Sequence, residues 1–505
     1  MPSLNLHWQS NHYNKNISSF VSLQNDGGVR TEMKTRLRVM KFGGTSVGDA
    51  ACIARTAQII AKGAAEGRCV AVVSAMSGVT NRLIEAAKSA QTGSAKVAAS
   101  LMDAIEAQHE TALQALLDDN GHKAAVRKKL EEVLTEGRRF CEGTALLREL
   151  TARTLDAISS LGERLAAPLV AAKLRALGVA SEAVDATELI VTDGFHGGAE
   201  PEMDLTRDRS QARLGALLER GITPVVTGFI GSSRSGELTT LGRGGSDYSA
   251  TILGAVLDAE EVIIWTDVEG VLTADPRLVP EARTIPVISY REAAELAYFG
   301  AKVLHPKTLK PVVQAAIPVW IRNSFAPEKL GTKITPEGQS IGGGVKALTA
   351  IRDVTLISVG GPGIVGLPDV VGRTFSTTAE VRANVLLISQ SSSQNDICFI
   401  VAASDAKRTV EALRKEFAQD LAHQKVEHIT VDPNIAIVAV VGENMRGTPG
   451  VAGRTFNSLG RENVNIIAIA QGSSESNISF VIEESKVKAA LNTTHREFGL
   501  GSAAQ

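Results

Sequence analysis

Residues 239–276 read TTLGRGGSDYSATILGAVLDAEEVIIWTDVEGVLTADP, which joins a glycine-rich turn to a helix and a strand. The glycines of LGRGG permit tight turns and let another molecule approach the backbone closely. Ser246 and Asp247 are typical of the N-cap and first turn of a helix, which the pattern predicts over residues 248–257. A helix start of this kind offers free N–H groups and the positive end of the helix dipole, so it suits an anion.

The apolar run at residues 261–265 predicts a buried parallel strand, and the polar Thr266 and Asp267 follow it directly. Open α/β sheets bind ligands at the carboxyl ends of their strands. An ordinary capped loop would explain either half of the stretch alone. Both halves together indicate a site for a nucleotide or an acidic metabolite.

Another phosphate-binding pattern lies nearer the N-terminus. Residues 37–42 predict a strand that ends in Gly43 and Gly44 and leads through hydroxyl residues to a helix from about Asp49. This order suits a phosphate, and Lys41 at the end of the strand can reach the same anion. The Walker sequence G-x-x-x-x-G-K-[ST] is absent, so the pattern alone is a weak signal.

The residues around these motifs alternate between helical and strand-like patterns. Residues 91–177 are almost wholly helical, and strand-like segments alternate with helices after them. Such alternation predicts an α/β fold with a parallel-rich sheet between layers of helices. Glu163 and Arg164 break the helical pattern beside Gly162, and a surface ion pair is the simplest interpretation of them.

Beyond a boundary rich in Gly and Pro, the sequence repeats itself. Residues 359–401 and 440–482 align without a gap, so that Phe399 matches Phe480. Each copy predicts a strand, a glycine-rich loop, a helix and two further strands, which make an α+β module too small to be an enzyme by itself. Paired modules of this kind favour a pocket for a regulatory ligand.

The composition excludes several classes of partner. The 53 basic and 55 acidic residues give a net charge of -2 without a long basic run, so nucleic acid is not expected. The longest apolar stretches are strand-sized, far short of the roughly 20 residues of a membrane helix. The 4 cysteines lie far apart without a C-x-x-C pair, which argues against zinc and for a reducing compartment. We therefore expect a cytoplasmic protein without metal ligands of its own.

Seven motifs, in one order, resemble those of aspartate kinase. They are KFGGTSV at 41–47, VVSAMSGVTN at 72–81, GERL at 162–165, TTLGRGGSDYSA at 239–250, WTDVEGV at 265–271, ADPR at 274–277 and FGAKVLHP at 299–306. The resemblance is greatest to single-function enzymes of microbial or archaeal type, and the kinase half of the fused kinase–homoserine dehydrogenases is also similar. Few residues follow the second repeat, so we expect no dehydrogenase half.

The resemblance implies a two-part architecture. The first part is an amino-acid kinase fold, an α/β sheet sandwiched by helices, and the second is a pair of ferredoxin-like α+β ACT domains. The implied boundaries are 1–37 for a disordered or wrongly assigned extension, 38–330 for the kinase domain, 331–345 for a linker, 346–425 for the first ACT domain and 426–500 for the second.

The family transfers the γ-phosphoryl group of ATP, with Mg²⁺, to the β-carboxylate of L-aspartate, the first step toward lysine, threonine and methionine. A carboxylate is already an anionic nucleophile at pH 7, so positioning and charge neutralisation must carry catalysis. The resemblance assigns catalysis to Lys41, Arg243 and Asp247, with Arg243 on the α-carboxylate of aspartate. The residues it assigns to aspartate binding are Ser46, Thr80, Glu163, Arg243, Ser246 and Asp247.

The resemblance also implies a set of ATP contacts. They are Lys41, Gly43, Gly44, Thr45, Thr266, Asp267, Leu272, Arg277, Lys302 and Val303. Leu272 departs from the family pattern, because many relatives carry a Tyr against the nucleotide at this position. Adenine packing there would be aliphatic, and a plain core residue is an equally good interpretation.

The ACT pairs of this family bind an end-product amino acid, so lysine or threonine is the implied allosteric effector. The candidate effector contacts are Gln390, Asn395, Gln471 and Asn477. The two glutamines are equally well explained as turn residues. The resemblance also implies a homodimer or homotetramer formed through the ACT domains. Two other functions stay open, a non-catalytic amino-acid sensor and a kinase of another amino acid, although the presence of Lys41, Arg243 and Asp247 argues against the sensor.

Overall fold

The computed structural model describes residues 36–118, 121–300, 304–339, 344–361, 368–390, 396–445, 447–471 and 476–501. The first strand begins at Leu37, and the extension predicted at 1–37 lies almost entirely outside these residues. An N-terminal α/β unit is followed by a C-terminal α+β unit, so the predicted fold class is confirmed. No helix in the described part of the chain is both long and apolar enough to span a bilayer.

The N-terminal unit alternates strands and helices along most of its length. Its strands are β1 (Leu37–Phe42), β2 (Arg68–Val73), β3 (Ser181–Val184), β4 (Val191–Thr192), β5 (Thr223–Thr227), β6 (Ile230–Ser233), β7 (Leu238–Thr240), β8 (Glu261–Thr266), β9 (Val287–Ser289), β10 (Val319–Asn323) and β11 (Thr332–Thr335). Its helices are α1 (Ala50–Glu66), α2 (Val79–Gln91), α3 (Ala95–Leu116), α4 (Gly121–Leu147), α5 (Ala152–Ser159), α6 (Leu161–Ala176), α7 (Met203–Ser210), α8 (Ala216–Glu219), α9 (Gly245–Val256), α10 (Tyr290–Tyr298) and α11 (Pro306–Gln314).

An 8-stranded sheet of order β3-β5-β2-β1-β8-β10-β11-β9 forms the centre of this unit within the described residues. All neighbouring pairs are parallel except β10 with β11. Side chains alternate between the two faces of a strand, so Val39 joins the core beneath α9, whereas Met40 joins the core beneath α1 and α6. Lys41 therefore projects from the α9 face of the sheet.

The sequence located the strands of the central motifs well, but it misplaced the start of α9. The apolar runs at 37–42 and 261–265 form β1 and β8 as predicted. The prediction of Ser246 as the N-cap is wrong, because Gly244 is the N-cap and α9 begins at Gly245. Gly244 has φ 71°, a left-handed conformation that glycine tolerates. The N-cap therefore lies two residues before the predicted one at Ser246.

The C-terminal unit contains the two sequence repeats. Its strands are β12 (Ala347–Gly360), β13 (Val385–Gln390), β14 (Asp396–Ala402), β15 (His428–Val441), β16 (Ala468–Ala470) and β17 (Asn477–Glu483). Its helices are α12 (Pro368–Glu380), α13 (Ala403–Glu416), α14 (Ala418–Ala422), α15 (Val451–Arg461) and α16 (Val487–Glu497). The repeat is visible in the cores, because Phe399 and Phe480 are both fully buried on equivalent strands.

The two repeats share their longest strands. The 6-stranded sheet has the order β13-β14-β12-β15-β17-β16, counted over the described residues. The second half of β12 pairs with β14 and with the start of β15, whereas its first half pairs with the end of β15, as Leu348 does with Val440. The first half of β12 thus completes the second repeat, so a boundary near residue 425 divides the sequence but not the sheet.

A buried ion pair joins the two units. Lys346, just before β12, places its Nζ 2.6 Å from Oε2 of Glu292 on α10, and both side chains are almost inaccessible to solvent. The other carboxylate oxygen of Glu292 accepts a hydrogen bond from the N–H of Glu443, just after β15. The ends of both shared strands are therefore attached to one helix of the N-terminal unit.

A second contact is made by residues 271–285, which follow β8. Ala274 and Val279 in this segment lie in the hydrophobic core of the second repeat. Thr273 is buried, and its hydroxyl lies 2.9 Å from Nε2 of His495 on α16. The middle of the segment thus packs in the second repeat, whereas Val271 and Ile285 at its ends lie in the core of the N-terminal unit.

Candidate active site

A cavity of about 550 Å³ opens at the carboxyl edge of the large sheet. Its walls come from the turns after β1, β2 and β7, from α2, α5 and α6, and from the start of α9. Among the predicted site residues, Lys41, Gly44, Thr80, Glu163, Arg243, Ser246 and Asp247 line it. The structure thus brings together segments that lie far apart in the sequence, at the edge where parallel sheets bind ligands.

The turn before α9 presents Arg243 to this cavity. Gly242 and Gly244 on either side have φ of 75° and 71°, so both adopt the left-handed conformation that glycine tolerates. A Cβ added to Gly245 would meet the ring of Phe229 at 2.6 Å, which explains the third glycine. Arg243 is exposed, and it has no carboxylate partner in the part of the chain that the structure describes. Its guanidinium is free to receive a carboxylate from a ligand.

Lys41 and Asp247 form an ion pair at the floor of the cavity. Lys41 Nζ lies 2.5 Å from Asp247 Oδ1, and both side chains are mostly buried. The alternation of β1 aims Lys41 at α9, and the early start of α9 places Asp247 in its first turn. A buried ammonium group held by one carboxylate can still neutralise an incoming phosphate.

Glu163 is a buried carboxyl group rather than a surface one. Burial raises its pKa to about 8, against weaker opposing effects of backbone N–H groups and of Lys41. Its Oε2 has no hydrogen-bond partner among the described residues, although the group lines the cavity. The predicted surface ion pair with Arg164 is wrong, because Arg164 binds Glu136 and Asp185 instead. An unsatisfied carboxyl in a cavity is suited to a polar or cationic ligand group.

The diglycine turn after β1 forms the side of the cavity next to β8. The N–H of Gly43 donates to the carbonyl of Trp265, and a Cβ on Gly44 would lie 3.2 Å from the carbonyl of Ala75. Thr45 at the tip of this turn is exposed. Ser46, by contrast, is buried and directs its hydroxyl to the hydroxyl of Ser324 at 2.8 Å, so it does not line the cavity.

The other predicted nucleotide contacts fall into two groups. Thr266 and Asp267 lie at the end of β8, beside the diglycine turn, and the Thr266 hydroxyl donates to the Asp267 carboxylate. Leu272 and Arg277 belong to the segment 271–285 that packs on the C-terminal unit, where Leu272 is half-buried and Arg277 is paired with a neighbouring carboxylate. Lys302 and Val303 lie outside the described residues.

The predicted effector contacts lie in the C-terminal unit. Gln390 at the end of β13 and Gln471 just after β16 are exposed. Asn477 at the start of β17 donates to the carboxylate of Glu295 on α10, so it contacts the N-terminal unit. Asn395 lies outside the described residues.

The sequence reasoning missed Asp156. Its carboxylate lines the cavity from the buried face of α5 and accepts hydrogen bonds from the loop at His196 and from Thr240. The available signal was an acidic residue between Leu155 and Ile158, within an apolar stretch just before the GERL motif.

Comparison with known proteins agrees with this geometry. The model of the amino acid kinase family matches residues 36–323, and that of the ACT domain matches residues 357–417 and 438–498. A crystal structure of E. coli aspartokinase III in complex with aspartate and ADP is 31% identical in sequence, with a TM-score of 0.76, over 92% of this chain and 99% of that one. The chain belongs to the aspartokinases of the amino acid kinase family.

Two further relatives place the chain among the aspartokinases. The same E. coli enzyme in complex with lysine and aspartate is 30% identical, with a TM-score of 0.75, over 92% of this chain and 99% of that one. The bifunctional aspartokinase/homoserine dehydrogenase 1 of Arabidopsis thaliana, a chloroplastic protein, is 35% identical over 92% of this chain and 51% of its own length. The chain therefore spans about half the length of this curated relative.

Proposed function

We propose that the chain transfers the γ-phosphoryl group of ATP to the β-carboxylate of L-aspartate. The observation that carries this proposal is the set of charges in one cavity, where Arg243, which has no carboxylate partner among the described residues, shares the walls with the Lys41–Asp247 pair and the buried Glu163. Aspartate needs this combination because its α-carbon bears a carboxylate and an ammonium group of opposite sign. The binding of aspartate and ADP by the E. coli relative supports the same assignment.

Positioning and charge neutralisation carry the reaction. The β-carboxylate of aspartate attacks the γ-phosphorus directly, the bond from phosphorus to the bridging oxygen breaks, and ADP leaves. Lys41 neutralises the transferring group, and Asp247 holds the ammonium of Lys41 in place. The turn at Gly44, which lines the cavity, lies beside the phosphates, whereas the N–H of Gly43 is already bonded to the carbonyl of Trp265.

Two groups orient the aspartate. Arg243 clamps the α-carboxylate through two parallel N–H bonds, which a lysine cannot reproduce. Glu163 is protonated in the empty cavity because of its raised pKa, and it loses its proton when the substrate ammonium arrives. Thr80 and Ser246 supply neutral hydrogen bonds.

ATP enters as its Mg²⁺ complex. Mg²⁺ is held mainly by phosphate oxygens and water with one or two carboxylates, and it neutralises phosphate charge. The carboxylates at this edge of the sheet, Asp247 and the exposed Asp267, fit such a partial coordination. Residues 36–118 and the later described ranges hold no cluster of three candidate metal ligands, so we assign the ion to the nucleotide.

The C-terminal unit regulates the kinase in this proposal, with lysine or threonine as effector. The lysine complex of the E. coli relative supports lysine as one candidate. We propose that the signal passes through residues 271–285, because they include the predicted nucleotide contacts Leu272 and Arg277 and pack in part into the core of the second repeat. An effector acts only if it binds the inactive arrangement more tightly than the active one.

The assembly and the compartment are also proposals. We propose a homodimer or homotetramer formed through the C-terminal units. We keep the cytoplasm as the compartment, since all four cysteines are free thiols, as expected under reducing conditions.

The deciding experiment is turnover of L-aspartate with Mg²⁺-ATP, in which hydroxylamine traps the acyl phosphate. Wild-type protein should form the hydroxamate, and Lys41→Ala should lower kcat by at least about 10²-fold because charge stabilisation is lost. Lys329→Ala, which removes a lysine of an exposed ion pair, is the matched control and should leave kcat unchanged.

Lysine and threonine are then added separately and together to the same assay. Inhibition by either one identifies the effector. Wild-type protein that binds one of these amino acids but shows no turnover and no Mg²⁺-dependent ATP binding would be a sensor, and the proposed activity would be rejected.

A further inference from the structure

Asp156 collects hydrogen bonds from three separate positions. Oδ1 accepts the Thr240 hydroxyl at 2.6 Å, and Oδ2 accepts Nδ1–H of His196 at 3.0 Å. The N–H of Thr240 donates to Oδ2 at 3.2 Å, and the N–H of Gly197 donates to the same oxygen at 3.0 Å. The residue is 2% exposed, so water does not solvate its carboxylate. These donors supply the hydrogen bonds that water would otherwise provide.

These bonds hold the two backbone segments that shape the Arg243 turn. Thr240 ends β7, three residues before Arg243, and its carbonyl accepts the N–H of Ala199. A Cβ on Gly242 would lie 3.2 Å from the carbonyl of Gly197, so the turn is in close contact with the loop. Asp156 on α5 therefore joins this loop to the end of β7 beneath the turn.

We propose that Asp156 is a positioning residue that fixes the Arg243 turn in the orientation that binds the α-carboxylate of the substrate. The proposal rests on the proposed aspartate kinase function. Arg243 has no carboxylate partner in the described chain, so its position depends on the turn that carries it. A carboxylate suits residue 156 because the backbone N–H groups of Thr240 and Gly197 that face it can only donate.

The first test compares Asp156→Asn with wild type in the hydroxylamine assay. The amide keeps the shape but turns an NH₂ group toward N–H and O–H donors. The KM for aspartate should rise by about tenfold or more, the effect of losing one hydrogen bond to a charged group, whereas the KM for Mg²⁺-ATP should not change. Asp185→Asn is the matched control, because Asp185 also accepts a backbone N–H and a threonine hydroxyl but lies outside the cavity.

A second pair of variants keeps the proposal testable if Asp156→Asn folds poorly. Thr240→Val removes the hydroxyl donor, and Thr240→Ser keeps it. Thr240→Val should raise the KM for aspartate more than Thr240→Ser does. Thermal unfolding of each variant shows whether the protein is folded under the assay conditions.

The third test asks whether Asp156 acts through Arg243. Asp156→Asn is added to Arg243→Ala, and aspartate binding is measured by calorimetry. If the positioning role is correct, the second substitution has little further effect, because the turn has no guanidinium left to orient. An equal loss in both backgrounds, or an unchanged aspartate KM in folded Asp156→Asn, would overturn the inference. If the wild-type protein does not phosphorylate aspartate, the proposed function is overturned together with the positioning role. The wild-type assay shows this before any variant is made, so the two failures can be told apart.

Discussion

Glu163, a buried carboxyl group in the cavity, should make the stability of the protein depend on pH. Glu163 has a raised pKa of about 8 against an ordinary value of 4.5, and burial is the main cause. Between these values the folded protein keeps the proton and the unfolded protein releases it. Rising pH therefore favours unfolding across this window, and the stabilisation present at low pH is lost as pH passes the folded pKa.

We predict that wild-type protein loses stability relative to Glu163→Gln between about pH 4.5 and pH 8. The difference between the two free energies of unfolding should change by up to about 1.4 kcal/mol for each pH unit, because glutamine mimics the neutral carboxyl and does not titrate. Denaturant unfolding of both proteins across this range measures it. A constant difference between the two proteins would show that Glu163 titrates normally.

The same group allows a second measurement on the ligand-bound protein. If the substrate ammonium faces Glu163, aspartate binding at pH 7 should release protons in wild type and fewer in Glu163→Gln, since the charged form is then favoured. Calorimetry in two buffers of different ionisation enthalpy measures the number of protons. Equal proton release by the two proteins would place the ammonium elsewhere.

At the level of single residues, the sequence predicted which residues belong to the site better than it predicted the residues that they contact. Lys41 and Arg243 were identified from their motifs, but the ion pair of Lys41 with Asp247 depends on the packing of α9 on β1, which local patterns do not encode. Ser46 looked equivalent to Thr80, yet the Ser46 hydroxyl is bonded within the fold, whereas Thr80 lines the cavity. Asp156 was missed because its donors come from distant segments.

At the level of elements, the glycine turn before α9 is tightly constrained by its backbone conformation. We predict that Gly244→Ala destabilises the protein by about 1–2 kcal/mol, because alanine is strained in the left-handed conformation. The added methyl also approaches Cβ of His305 at 3.1 Å. Because the turn carries Arg243, the KM for aspartate should rise as well. Denaturant unfolding and the kinetic assay measure the two effects.

Gly453→Ala is the matched control for that substitution. Gly453 is exposed on α15, and a Cβ there would meet nothing within 4 Å. Alanine should stabilise the helix by up to about 1 kcal/mol, since it is the better helix former. Similar losses in both variants would mean that the conformation of the turn is not the reason for Gly244.

The elements also show why some boundaries were predictable. β1, β2 and β8 are apolar runs bounded by polar residues or glycine, so the composition marks their ends. The apolar run at 223–230 contains β5 and the first residue of β6 rather than one strand, because Phe229 between them has φ 71° and turns the chain. A left-handed phenylalanine has no local signal in a sequence.

At the level of the whole molecule, the buried pair of Lys346 and Glu292 connects the N-terminal and C-terminal units. We predict that Lys346→Met destabilises the protein by about 3–5 kcal/mol, because it leaves the Glu292 carboxylate buried without its partner. Lys329→Met breaks an exposed pair instead and should cost about 1 kcal/mol or less. Thermal unfolding compares the two, and equal effects would mean that water reaches Glu292.

The exposed glutamines Gln390 and Gln471 of the C-terminal unit are candidate contacts for the effector. Gln390→Ala and Gln471→Ala should each weaken inhibition by the effector amino acid without changing turnover in its absence, if these exposed side chains contact the ligand. An inhibitor titration of each variant measures the midpoint. Unchanged midpoints in both would assign the two glutamines to their turns.

The repeat revealed two related modules but not how they combine. Matching residues such as Phe399 and Phe480 predicted equal cores, which the structure contains. The exchange of strand halves between the modules was not predictable, because the residues of β12 do not specify which later strand each half pairs with. The positions of Ala274 and Val279 were also not predictable, because the sequence places them in a loop after β8, whereas the structure places them in the core of the second repeat.

The shared strands set an order of events during synthesis on the ribosome. β12 is the first strand of the C-terminal unit to emerge, but Leu348 in its first half must wait for Val440, which follows the whole of the first repeat. His495, which meets Thr273, emerges later still. The kinase sheet can therefore form while its regulatory half is incomplete, and the nascent chain carries an unpaired apolar strand through that interval. Slow translation across this region would prolong the period in which chaperones are needed most.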